Sequence, residues 1–150
     1  MSSPRKPLVS DAEAAIATSA GLNVRIAARR ITQFLESRMA NSCLTVAQFG
    51  LMTHVAAASV ETLGALAMRT GLDQSTLSRN LRGLERDGLV EIAVVNADVR
   101  RRSVWLTEAG ARRLEAALPI WRRAHASLAR LIDPDLVSNL AAATETLLQE

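Results

Sequence analysis

The segment from Thr62 to Gly110 constrains the fold more than any other part of the chain. Thr62 is a hydroxyl residue suited to capping a helix, and Gly71 is suited to ending that helix in the left-handed conformation. Asp73 is a second capping residue, and Gly88 marks the end of the helix that follows it. The segment therefore predicts two short helices joined by a tight turn.

The second of these helices has two different faces. Leucines at Leu77, Leu81 and Leu84 recur at spacings of four and three, which predicts a buried face. The opposite face carries hydroxyl and guanidinium side chains, at Ser75, Thr76, Arg79, Arg82 and Arg86. Arginine suits contact with phosphates and guanine because its planar fork donates two parallel hydrogen bonds. A solvated charged face would look the same in isolation, so its meaning depends on the segment that follows.

A short hairpin with a basic tip follows this helix. The stretch from Leu89 to Val95 is rich in β-branched residues and predicts a strand, residues 96–98 have turn chemistry, and Ser103 to Leu106 predicts the return strand. Helix, turn, helix and hairpin is the order of a winged helix-turn-helix, which places one helix in the major groove of DNA and a basic loop near the minor groove. The sequence therefore predicts a DNA-binding protein that is mainly α-helical with a small β-hairpin wing.

Composition supports one folded domain. The chain has 150 residues, of which 49% are hydrophobic and 22% charged, as in globular proteins. Lys6 is the one lysine among 18 basic residues, a ratio that a GC-rich genome explains, although codon bias does not explain where the arginines fall. A single cysteine excludes an intramolecular disulfide and fits a reducing compartment. With no apolar run near about 20 residues and no secretory signal, we expect a cytoplasmic protein without a membrane span.

Helical patterns flank the winged unit on both sides. After a loose arm over residues 1–10 and a stretch that Gly21 interrupts, apolar residues recur at helical spacing from Leu22 to Met39. A capping box formed by Thr45 and Gln48 then opens an almost wholly apolar helix that ends near residue 58. We divide the single domain into an arm and dimerisation helix (1–40), the winged unit (41–110) and C-terminal dimerisation helices (111–150).

The C-terminal part predicts a long helix from Thr107 and a last helix that starts at Asp133-Pro134 and ends near Leu148. The long helix has an apolar seam made of Leu114, Leu118, Trp121, His125, Leu128 and Ile132. The terminal helices have no third layer to cover their apolar stripes, so we expect a homodimer with interleaved termini. Two-fold symmetry would also place two recognition helices on successive major grooves.

Three stretches together resemble the MarR family of bacterial transcriptional regulators. They are LTVAQFGLM from Leu44, ETLGALAMRTGLDQSTLSRNLRGLERDGLVE from Glu61, and ADVRRRSVWLTEAGARRLEAALPIW, which ends at Trp121. The most specific piece is Asp98-Val99-Arg100 followed by LTEAG, which is similar to the family's wing signature. The resemblance implies homodimers that bind pseudo-palindromic operators, usually repress transcription, and release DNA on meeting a small ligand or an oxidant.

The resemblance also implies which residues contact DNA. On the recognition helix these are Ser75, Thr76, Ser78, Arg79 and Arg82. In the wing, Arg100 would enter the minor groove, and Asp98 would hold an arginine in position. Because side chains alternate along a strand, the three arginines at 100–102 cannot all point the same way, and we expect Arg101 or its neighbour on phosphate. Arg86, between Glu85 and Asp87, fits an ion pair or a phosphate contact better than base reading.

The signal that would control DNA binding is less defined. The resemblance implies a ligand pocket where the dimerisation helices meet the winged unit, and the preferred effector is a small aromatic or phenolic acid. His54, in the apolar helix, is either a polar handle in such a pocket or a core histidine bonded to the backbone. The alternative is a redox switch through Cys43, which lies just before a helix start, because the helix dipole can favour the thiolate form of a cysteine there. The other interpretation of Cys43 is a structural or incidental cysteine. The family's peroxide sensors place their cysteine earlier and hold it with tyrosines, which this chain lacks.

Other functional classes find little support. The chain has no glycine loop for phosphates, no G-x-S-x-G elbow and no recognisable set of nucleophile and base, so we expect neither an enzyme nor a cofactor. No histidine or cysteine pair has metal-ligand spacing. A winged helix used only for protein–protein contact would present an acidic or apolar outer face, whereas this one is rich in arginine.

Overall fold

The computed structural model describes residues 6–59, 61–94 and 102–147. The chain divides into two compact units, residues 1–34 and residues 35–150. Within the described ranges, all buried apolar side chains belong to the second unit, while none of residues 6–34 is fully buried. No described helix is long and apolar enough to cross a bilayer.

The first unit is built from helix α1, Lys6–Thr18, and most of helix α2, Ala20–Met39. The expected loose arm over residues 1–10 is therefore wrong for residues 6–10. Pro7 is compatible with helix here because the first turn has no carbonyl partner for the missing N–H. The break between the helices lies at Ser19 rather than at the predicted Gly21. The Ser19 hydroxyl accepts a hydrogen bond from Leu22 N–H (3.4 Å), as a capping residue does.

A 3-10 turn, Ala40–Ser42, leads to helix α3, Val46–Ala58, at the centre of the second unit. The predicted capping box is confirmed: Gln48 N–H donates to Thr45 Oγ1 (3.1 Å), and Thr45 N–H donates to Gln48 Oε1 (2.9 Å). This helix contacts the recognition elements and the long C-terminal helix. Its buried side chains are Phe49, Leu51, Met52 and Val55. An all-round apolar helix is buried on several sides because it has no polar face to present to water.

The helix-turn-helix consists of α4, Leu63–Thr70, and α5, Gln74–Arg86. Thr62 caps α4, since its hydroxyl accepts a hydrogen bond from Ala65 N–H (3.2 Å). Gly71 ends α4 with φ +63°, a conformation that favours glycine. The three leucines of α5 are buried as predicted, so the pattern placed the inner face of the helix correctly.

Two predicted strands and one unpredicted strand form the sheet. Strands β2, Val90–Val94, and β3, Arg102–Leu106, are antiparallel with Ile92 opposite Val104. The extra strand β1, Glu61–Thr62, pairs with the other side of β3, so the sheet order is β1-β3-β2. Two residues are too few to show the alternation by which a strand is predicted from sequence.

The C-terminal part contains helix α6, Glu108–Leu128, and helix α7, Pro134–Ala143. Pro119 lies inside α6 without ending it, as predicted. The seam predicted as far as Ile132 stops short, because α6 ends at Leu128. Asp133 caps α7, and α7 ends about five residues earlier than expected, where the Thr144 hydroxyl donates to the carbonyls of Leu140 and Ala141.

Candidate nucleic-acid interface

Helix α5 is held by its leucines and presents its polar face to solvent. Its inner face packs against α3 and β2 through buried leucines. On the outer face the side chains of Gln74, Ser75, Arg79, Arg82 and Arg86 are exposed, and those of Ser78 and Thr76 are half-buried. The result is a cationic helix surface with a fixed orientation.

Asp73 organises the start of α5. Its Oδ1 accepts hydrogen bonds from Ser75 Oγ (2.6 Å) and Thr76 N–H (2.8 Å), and its Oδ2 accepts from Thr76 Oγ1 (2.8 Å). The hydroxyl of Ser75, followed by the N–H and hydroxyl of Thr76, holds the pKa of Asp73 well below its ordinary value. The capping carboxylate therefore remains ionised at neutral pH. Both hydroxyls donate their proton to Asp73, so each offers only lone pairs to a ligand.

Two depressions flank the outer face of α5. The one on the wing side lies between α4, α5 and strands β2 and β3, and is lined by apolar residues together with Glu85 and Arg102. The one on the opposite side is lined by Ser75, Arg79, Gly83 and Arg86. Three residues line both depressions and so form the ridge between them: Gln74, Ser78 and Arg82.

The strands of the wing are braced next to this surface. Glu91 and Trp105 are opposite each other on β2 and β3, and Trp105 Nε1 donates to Glu91 Oε2 (3.0 Å). The predicted tip residues Asp98, Arg100 and Arg101 lie outside the described residues, so their roles remain predictions.

Comparison with known proteins decides the family. A sequence model of the MarR family matches residues 44–102. The transcriptional regulator MosR of M. tuberculosis, in a crystal structure with DNA, is 30% identical, with a TM-score of 0.76 over 87% of this chain and 96% of that one. The chain belongs to the MarR family. The resemblance seen in the sequence is confirmed.

Other solved structures share the fold of this MarR-family chain. A mutant MarR from E. coli with operator DNA is 23% identical, with a TM-score of 0.74 over 89% of this chain and 96% of that one. BpsR of Bordetella bronchiseptica, whose DNA binding is regulated by 6-hydroxynicotinic acid, is 21% identical, with a TM-score of 0.73 and the same coverage. No curated protein sequence matches the chain. The predicted fold, a winged helix-turn-helix in a mainly α-helical chain, is confirmed.

In this MarR-family chain, Cys43 is exposed and follows the 3-10 turn with φ +56°. Its carbonyl accepts a hydrogen bond from an Arg113 guanidinium N–H (3.5 Å). The cap of α3 is Thr45, so Cys43 lies two residues before the cap rather than at the helix start itself. Its proposed redox role stays a prediction.

The two histidines are both bonded to their own helices. His54 is half-buried, with Nδ1 2.8 Å from the carbonyl oxygen of Gly50, which is the backbone bond expected of a core histidine. His125 Nδ1 is 3.1 Å from the carbonyl of Trp121, and its ring lies on that indole, which in turn stacks on Phe49. These rings join α3 to α6. In the described part of the chain, no group of three potential metal ligands occurs.

Two features were missed by the sequence analysis. Gln74 is the first residue of α5 and lies on its outer ridge, and its position directly after the cap was a signal that could have identified it. An ion pair between Glu61 and Arg69 (2.6 Å) ties β1 to the end of α4. No local pattern announces this pair, because it depends on the unpredicted strand.

Proposed function

We propose that this MarR-family DNA-binding regulator is a cytoplasmic homodimeric repressor that binds a pseudo-palindromic operator and releases it when a small aromatic or phenolic acid binds. The observation that carries the proposal is the exposed arginine face of α5, fixed by the Asp73 cap and a leucine core. A helix that is rigid before binding loses little conformational entropy when it enters a major groove.

The residues of α5 divide by chemistry. Arg79 and Arg82 are exposed donors suited to guanine edges and phosphates. Ser75 and Thr76 offer only hydroxyl lone pairs, so they suit amino groups of bases rather than phosphate oxygens. In the wing, we propose that Arg100 enters the minor groove, that Asp98 holds an arginine in position, and that Arg101 or its neighbour contacts phosphate.

Dimerisation is supported by apolar side chains that the single chain leaves exposed. In α1, Leu8 and Ile16 are 61% and 60% exposed. After α6, Leu131 and Leu136 are 69% and 64% exposed. Large apolar side chains left exposed in this way are typical of surfaces that a partner covers.

The proposed effector, a small aromatic or phenolic acid, is supported by the structural similarity of this chain to BpsR. BpsR is a structural neighbour whose DNA binding responds to 6-hydroxynicotinic acid, an aromatic acid. A ligand of this kind would act by binding more tightly to a dimer whose recognition helices are spaced wrongly for DNA. His54 is the candidate polar contact. Oxidation of the exposed Cys43 is the alternative signal.

Base reading by Arg79 is tested by comparing an operator duplex with a random duplex. Arg79→Ala should weaken operator binding by about 1–3 kcal/mol and lower the ratio of operator to random affinity, because a bidentate base contact is lost. Fluorescence anisotropy at several salt concentrations measures both affinities.

Arg86→Ala is the matched control, since it removes the same charge from the same helix. We expect it to weaken binding to both duplexes by the same factor, as loss of a phosphate contact does. The slope of log K against log salt concentration should become shallower by about one. An unchanged affinity ratio for Arg79→Ala would refute base reading. Binding that is insensitive to salt would refute the electrostatic interface.

A further inference from the structure

The ridge of α5 singles out one residue that the family resemblance did not. Gln74, Ser78 and Arg82 are four residues apart, about 6 Å per step along the helix, and they separate the two depressions. A ridge flanked by depressions on both sides is the part of a helix that enters a groove most deeply. Gln74 forms its N-terminal end, and recognition helices contact base edges chiefly with their N-terminal residues.

The hydrogen bonds of the neighbouring polar groups show which side chain at the start of α5 is able to read a base. The hydroxyls of Ser75 and Thr76 donate to Asp73, and the amide of Asn80 donates to the carbonyl oxygen of Thr76 (2.9 Å). Within the described residues, no hydrogen bond holds the Gln74 amide, and the side chain is exposed. Gln74 therefore presents a carbonyl acceptor and two N–H donors at the start of the helix.

This pattern of donors and acceptors matches one base. Adenine shows an N7 acceptor and an N6 amino donor side by side in the major groove, and a glutamine amide pairs with both at once. We propose that Gln74 reads an adenine in each half-site of the operator and is a specificity-determining residue of this chain. The inference rests on the proposed function, because it requires α5 to lie in the major groove.

The test begins with the full chain and selection from random duplex DNA, which gives the preferred half-site for wild type and variants. Gln74→Ala should lose the preference for adenine at one position per half-site by about fivefold or more, since a bidentate pair is lost. Gln74→Glu should change that preference to cytosine, because a carboxylate accepts from the cytosine N4 amino group and cannot donate to adenine N7. Asn41→Asp makes the same amide-to-carboxylate change at an exposed residue of the 3-10 turn before α3, which contacts α6, and should leave the preference unaltered.

A second measurement removes the partner atom from the DNA. Replacing the assigned adenine by 7-deazaadenine deletes the N7 acceptor. The wild-type protein should therefore bind the modified duplex more weakly, whereas the affinity of Gln74→Ala should not fall further. Specific wild-type binding with unchanged preferences in both Gln74 variants would overturn the assignment alone. A wild type that prefers no sequence would overturn the proposed function as well. If the preference also changes in Asn41→Asp, the effect of Gln74→Glu would come from the added charge, and the assignment of a local contact between Gln74 and adenine would be overturned.

Discussion

At the scale of single residues, Gly110 shows how closely the wing and α6 approach each other. It lies in the first turn of α6, where Thr107 caps the helix and also donates its hydroxyl to the Gly88 carbonyl (2.6 Å). A Cβ atom added to Gly110 would overlap the carbonyl oxygen of Leu89 and lie 2.9 Å from its carbonyl carbon. The backbone of Leu89 cannot move away easily, because its carbonyl accepts the Thr107 N–H (3.1 Å).

We therefore predict that Gly110→Ala destabilises the fold by at least about 2 kcal/mol, although alanine favours helices over glycine by about 1 kcal/mol. Urea unfolding followed by circular dichroism measures the change. Gly50→Ala is the control, since Gly50 lies inside α3 with no atom within 4 Å of the added Cβ, and it should leave stability equal or slightly higher. A Gly110→Ala variant as stable as wild type would contradict the close approach of Gly110 to the Leu89 backbone.

The sequence correctly predicted the residues whose hydrogen-bond partners are close by in the chain. The caps Thr45, Thr62 and Asp73 each satisfy backbone donors within three residues, so a short stretch of sequence holds all the information needed. The sequence did not predict that the Gln74 amide has no hydrogen-bond partner among the described residues, because this depends on which neighbouring groups are already bonded in the folded chain.

At the scale of elements, the pairing of β1 with β3 brings a charged residue into the interior. Glu61 is 8% exposed, and its carboxylate accepts from an Arg69 N–H (2.6 Å) and from the Thr62 N–H (3.1 Å). The Arg69 side chain is 46% exposed, so the two partners differ in their access to water. This difference makes the pair asymmetric in its effect on stability.

We predict that Arg69→Met costs about 1–3 kcal/mol, because it leaves a buried carboxylate without its cation. Glu61→Gln should cost less, since water can solvate the freed Arg69 side chain, and the new amide oxygen would still accept the Thr62 N–H. Urea unfolding of the two single variants and the double variant gives the coupling energy. Equal costs for the two single variants would contradict the asymmetry.

Element boundaries that depend on tertiary contacts were the ones that sequence patterns missed. The strand β1 is defined by its partner β3 and not by its own two residues. The end of α7 at Ala143 and the end of α6 at Leu128 were placed too late, because an apolar residue continues a periodic pattern whether or not the helix does. The recognition helix, with strong caps and a leucine face, was placed correctly.

At the scale of the whole molecule, the exposed apolar residues of α7 are unexplained by a single chain. All described residues of α7 are exposed, including Leu136, Val137 and Leu140. Leu136 and Leu140 lie one turn apart on one face of the helix. A second copy of the chain that covered this face would remove them from water and contribute a favourable free energy.

We therefore predict that Leu140→Glu shifts the chain from dimer to monomer and weakens operator binding, because a monomer holds one half-site only. Multi-angle light scattering should give about twice the 16.1 kDa chain mass for wild type and a lower mass for the variant at the same concentration. Ser138→Glu is the matched control, since it adds the same charge to the other side of α7 and should remain dimeric. The monomeric chain should keep its fold, because Leu140 is 46% exposed and outside the core. A monomeric wild type would contradict the homodimer, and a dimeric Leu140→Glu would place α7 outside the interface.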